Sequence, residues 1–184
     1  MYGPIEVIVG VTPEMIHNWG WFLAFGIVLV LLGIAAVVRA FAATVASMVF
    51  FGWLLIFSGI IEFVHSFMVG KWAGFFLHLL VALLFGIVGA LMVFKPVISA
   101  EAVTFVMSIF FMVGGLYLLF GSIWSHAAGW GWGAANGAIS TILGVLLLTQ
   151  WPVSGLWVVG LFVGIDLIFY GSAWIAMALK LHKM

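Results

Sequence analysis

Residues 20–40 read GWFLAFGIVLVLLGIAAVVRA, a stretch with a single charge, Arg39, and two glycines seven positions apart, Gly26 and Gly33. At about 1.5 Å of rise per residue, a helix of this length crosses a hydrocarbon core about 30 Å thick. Five similar runs follow, over 44–67, 73–94, 102–124, 133–151 and 155–179, broken at Gly70-Lys71-Trp72, at Lys95-Pro96 and at Trp151-Pro152. Proline and glycine next to a charge or an indole are the usual punctuation between spans. Six membrane helices therefore account for most of the 184 residues and leave no room for a soluble domain. Tryptophans gather near the proposed ends (Trp19, Trp21, Trp72, Trp124, Trp130, Trp132, Trp151, Trp157), where the indole suits the headgroup level. Trp53 and Trp174 lie deeper and read as packing residues.

Composition agrees, with 67% hydrophobic and 5% charged residues and a mean hydropathy of +1.43. The acids and bases balance to zero, which gives nucleic acid no basic surface. The chain has no cysteine, so disulfides, thiolate metal sites and iron–sulfur clusters are excluded. Residues 1–19 lack the pattern of a cleaved secretory signal, so the first span is expected to be retained. Thr12 and Pro13, followed by Glu14, read as the start of a short interfacial helix. Residues 1–184 are thus expected to form one multi-pass domain in contact with the lipid bilayer.

Aligning glycines exposes an internal repeat. Gly33 matches Gly89 and Gly144, Gly52 matches Ser108 and Gly164, and Gly59 matches Gly115 and Gly171, at a spacing of 56 residues with a single step of 55. Each repeat holds two helices, over about 20–72, 73–130 and 131–184, so every repeat enters from the same side of the membrane. The expected fold is an all-α membrane protein of three two-helix repeats with pseudo-threefold symmetry about the membrane normal, not an inverted-repeat transporter. Short connections make the two helices of each repeat expected antiparallel neighbours. Gly33, Gly52, Gly59, Gly89, Gly115, Gly144, Gly160, Gly164 and Gly171 are the candidate packing positions, because small residues let membrane helices approach closely. With the termini inside, Lys71, Lys180 and Lys183 are cytoplasmic against Arg39 and Lys95 outside, a bias that favours cytoplasmic termini.

Few polar groups lie within the spans. Glu62 and His65 come late in the second run and His78 early in the third. Glu62 stands six positions before Met68 and His78 six after Trp72, which gives both a depth of about 9 Å on one side of the membrane. Three readings fit them. In the first, a Glu62–His78 hydrogen bond braces two helices while His65 points to the headgroups. In the second, the pair responds to protons, since an ordinary histidine titrates near 6.5 and an ordinary glutamate near 4.3. The third is a zinc site, but the sequence shows no fourth ligand, and no metal or cofactor is expected; no haem attachment motif is present either. Asp166 lies near the middle of the last run, where the other repeats carry Leu54 and Phe110. It is either a functional site or a polar contact to Asn136, Ser140 or Thr141. It follows Gly164 by two positions, about 200° around a helix, so the last helix needs protein on two sides. That points to a homo-oligomer or to a subunit of a larger membrane complex.

The segment Gly164-Ile165-Asp166-Leu167-Ile168-Phe169 resembles the Gly-Ile-Asp/Glu-Leu-Ile-Phe signature of the HdeD family of bacterial inner-membrane proteins, and six spans in three two-helix repeats are similar to that family. The resemblance covers about residues 20–180. It implies a place in the bacterial inner membrane and a role in acid resistance by an unestablished mechanism, with no catalytic residues to carry over. The chain departs from the pattern before the first span, where Glu6 and Glu14 replace a basic segment. The expected function is HdeD-like resistance to acid or membrane stress, and the alternative is an accessory subunit without transport of its own. A channel is disfavoured because neither a ring of charges nor a polar helix face is visible, and an enzyme is the least expected.

Overall fold

The computed structural model describes residues 19–68, 72–125 and 129–182. The Thr12-Pro13 helix start lies outside the described residues. Among the described residues there are six helices, α1 (Trp19–Val38), α2 (Ala40–Ser66), α3 (Trp72–Phe94), α4 (Pro96–Ser125), α5 (Trp130–Thr149) and α6 (Val158–His182), with a short 3-10 turn at Val153–Leu156. All six are long and apolar enough to cross a bilayer, which makes this a multi-pass membrane protein.

The boundaries follow from local chemistry. Only Arg39 separates α1 from α2 and only Lys95 separates α3 from α4, so α2 begins four residues before the expected run and α4 six before. Pro96 opens α4 because the first helical position needs no N–H. Gly129 precedes α5 at φ 84°, a left-handed conformation that glycine adopts without strain. Several hydroxyls inside the helices return their hydrogen to the preceding turn. Ser108 donates to the Thr104 carbonyl at 2.7 Å and Thr141 to the Gly137 carbonyl at 2.8 Å. Such bonds remove a polar cost that lipid would otherwise impose.

The chain forms two compact units. One combines α1 with most of α6, and the other runs from α2 through α5 to the first turn of α6. Within the second unit the intimate pairs are α2 with α3 and α4 with α5, whereas α3 and α4 touch sparsely. This corrects the expectation that the helices of the 73–130 repeat pack together as a pair. The glycine faces decide the matter, because α3 spends its small residues on α2 and α4 spends its own on α5.

The crossings are alike at residue level. A Cβ on Gly89 would meet the Gly52 carbonyl at 2.7 Å and Ile56, and one on Gly59 would meet the Ala82 carbonyl at 3.0 Å. In the next pair, Gly144 faces the Ser108 carbonyl at 2.7 Å and Met112, and Gly115 faces the Gly137 carbonyl at 2.8 Å. In the first unit, Gly33 faces the Gly164 carbonyl at 2.7 Å and Ile168, and Gly26 faces the Gly171 carbonyl at 2.8 Å. Ile56, Met112 and Ile168 are themselves 56 residues apart. One crossing therefore occurs three times, each joining the second helix of one repeat to the first helix of another. At Gly160 the Thr44 amide lies 2.7 Å from the position of a Cβ.

Adjacent glycines on α4 test this packing. Gly115 has the Thr141 amide 2.5 Å from where a Cβ would sit, while Gly114 has nothing within 4 Å. Gly115→Ala should destabilise the detergent-solubilised protein by about 1–3 kcal/mol through overpacking. Gly114→Ala should be neutral or stabilising by up to about 1 kcal/mol through helix propensity. Thermal unfolding of the two variants checks the contrast.

Candidate functional site

The α2–α3 crossing leads directly to the one metal-capable polar cluster among the described residues. Glu62 lies three positions after Gly59 on α2, and His78 lies four positions before Ala82 on α3, so each projects one turn beyond the Gly59–Ala82 approach and toward the same end. There His78 Nδ1–H donates to Glu62 Oε1. With the ring protonated the contact is an ion pair, and with neutral imidazole it is a hydrogen bond to a carboxylate. The two side chains are 28% and 27% exposed, so the contact is neither sealed in the protein nor free of it.

His65 follows Glu62 by three positions and therefore shares its helix face. Its ring stands edge-on to that of His78, with centroids 4.9 Å apart and planes at 90°. One ligand atom from each of Glu62, His65 and His78 lies within 4.8 Å of the other two. The structure therefore draws His65 into the cluster, although its residue is exposed. Phe63, Phe67, Phe75 and Trp72 surround this end of the helix pair with successive edge contacts. Beside the crossing runs an apolar groove of about 450 Å³, lined by residues such as Ile56, Ile60, Phe63, Leu79 and Leu83, with almost no polar surface of its own.

The other candidate polar residues are placed differently. Asp166 is exposed on α6, while Gly164 and Gly171 of the same helix face α1. Asn136 is exposed on α5, and Thr141 of that helix commits its hydroxyl to the Gly137 carbonyl. Trp174 packs as expected, stacked on Phe22 with centroids 5.6 Å apart, whereas Trp53 is half exposed beside Phe57.

Three polar contacts were hidden from the sequence. The Gly160 N–H donates to the Thr44 hydroxyl at 2.9 Å, so a side chain 116 positions away satisfies one of the orphan amides at the start of α6. Ser154 donates to the Leu147 carbonyl at 2.8 Å, and the Trp151 indole donates to the Glu101 carbonyl at 3.1 Å. No spacing rule signals contacts of this kind, although Thr44 inside an apolar run is itself a flag.

Removing one partner of the Glu62–His78 contact leaves the other half-buried without its bond. His78→Phe should therefore destabilise the protein, by about 0.5–2 kcal/mol given the range for polar contacts between membrane helices. The double change Glu62→Leu with His78→Phe should cost less than the two single changes added together. A double-mutant cycle read by thermal unfolding measures the coupling.

The family described as a short repeat of unknown function (DUF308) matches the chain twice, over residues 24–94 and 80–149. No curated protein matches the chain, and neither does any solved structure. The two family matches start 56 residues apart, the spacing of the glycine repeat. The first takes in α1 to α3 and the second continues from within α3 to the end of α5, so both include a complete glycine crossing. Because these matches cover well over half of the sequence, the chain belongs to the DUF308 short-repeat family.

Proposed function

We propose that the chain is an HdeD-like protein of the bacterial inner membrane that confers resistance to acid or membrane stress as a helical scaffold rather than as an enzyme. The observation that carries this reading is the position of the Gly164–Phe169 signature. Its first residue, Gly164, sits in the α1–α6 crossing opposite Gly33, and Ile168 fills the space beside it. The segment that resembles HdeD thus makes the same helix contact that the other repeats make. The repeated crossing also supports a pseudo-threefold arrangement of three helix pairs about the membrane normal. Lysine placement supports cytoplasmic termini.

A second reading, a homo-oligomer or a subunit of a larger membrane complex, is favoured by Asp166. An ionisable side chain near the middle of a span costs roughly 2.5–3.5 kcal/mol on insertion scales unless protein or water covers it. With Gly164 and Gly171 turned to α1, Asp166 is exposed on the far side of α6. A neighbouring chain on that side would supply cover.

Survival after acid shock tests the first reading. A deletion strain should lose at least about tenfold in survival, with recovery on expression of the wild-type chain and no recovery with Gly164→Leu at equal membrane abundance, since leucine cannot fit against the Gly33 carbonyl 2.9 Å away. Equal survival with and without the gene would overturn it. For the second reading, cysteines introduced singly over 160–174 into this cysteine-free chain should crosslink between chains at positions flanking Asp166 and not at Gly164 or Gly171. Absence of any crosslink at a lipid-exposed position would contradict it.

A further inference from the structure

We propose that Glu62, His65 and His78 bind one divalent transition-metal ion of zinc's class between α2 and α3, with a coordination position left open. Their ligand atoms all lie within 4.8 Å of one another. A tetrahedral zinc with bonds of about 2.0–2.2 Å holds its ligand atoms roughly 3.3–3.6 Å apart, so modest side-chain rotations complete the set. Two imidazoles and one carboxylate are the protein ligands of several open zinc sites, where water takes the fourth position. The same donors disfavour magnesium and calcium, which take oxygen ligands.

Sequence and packing prearrange the site. Glu62 and His65 form a Glu-x-x-His pair at i and i+3 on one helix, the arrangement by which helical bundles aim both side chains at one ion. The third ligand comes from α3, held in place one turn away by the close approach of Gly59 to Ala82 and Gly86. An ion takes the place of the direct His78 Nδ1–Glu62 Oε1 contact: a neutral His78 frees Nδ1 by carrying its proton on Nε2, and a protonated one releases a single proton on binding. One carboxylate leaves the bound ion with a single net positive charge, which suits a site near the end of a span better than one at its centre. His65 is exposed and gives the ion a way in. This inference does not depend on the acid-resistance reading, because it concerns binding by the isolated protein.

The test is zinc titration of the tag-free chain in lipid nanodiscs, with magnesium as the comparison ion. The expected result is one zinc per chain at the cluster, no magnesium binding, and an affinity at least tenfold lower for each of Glu62→Gln, His65→Gln and His78→Gln. His65→Gln is the decisive variant, because His65 is not part of the Glu62–His78 hydrogen bond. Its metal-free melting temperature should match that of the wild type, and the rise of a few degrees that zinc gives the wild type should be absent. Cobalt, as a spectroscopic substitute, should give visible d–d bands that the same substitution abolishes. Failure of the folded wild type to bind zinc, or zinc affinity unchanged when all three residues are replaced, would overturn the proposal.

Discussion

The structure depends on close backbone approach at glycine. Lipid is as apolar as leucine, so two membrane helices gain little from hiding side chains and must gain instead from packing density and short-range contact. Each of the three crossings brings a carbonyl of one helix within about 3 Å of where a side chain on the other would begin. Positions that face away carry leucine, phenylalanine, isoleucine and valine, which are exposed in the protein and suited to acyl chains. The same division explains why so few side chains are fully buried, and why serine and threonine are prominent among those that are.

The crossings also fix where chemistry can occur. A polar side chain within a span costs least where a partner is held beside it, and the α2–α3 crossing holds Glu62 beside His78. The equivalents of Glu62 in the other repeats are Leu118 and Trp174, and the equivalent of His78 in the last repeat is Gly133. The repeat therefore supplies one frame three times, and among the described residues the α2–α3 copy is the one that carries a metal-capable group. Asp166 breaks the symmetry a second time, on a different helix and on its exposed side.

Much of this was legible in the sequence. Hydropathy alone marks six spans, and the 56-residue register of Gly33, Gly89 and Gly144 marks the repeat that the two family matches reproduce. A Cβ at Gly33, Gly89 or Gly144 would lie within 3 Å of a backbone carbonyl on another helix. Partnership was misread because a repeat specifies equivalent faces without specifying which neighbour each face meets. Chain connectivity suggested α3 with α4, yet the single residue Lys95 joins helices whose glycine faces are already engaged elsewhere. Depth counting placed Glu62 and His78 at one level, and their helix angles relative to Gly59 and Ala82 brought them together. The inclusion of His65 was harder to read, because a residue near the headgroups can point outward or back along its helix. Thr44 capping α6 depends on a tertiary approach that no local pattern encodes.

The central claim is that each helix pair joins the second helix of one repeat to the first helix of another through the same glycine positions. A density map of the protein in nanodiscs, at a resolution that places side chains, measures this directly. The account predicts α2 on α3, α4 on α5 and α6 on α1, with Gly52 against Gly89, Ser108 against Gly144 and Gly164 against Gly33, and with the three pairs superposing on one another. A map in which α3 packs along α4 through Gly89, or in which α6 leaves Gly33 for another helix, would contradict it.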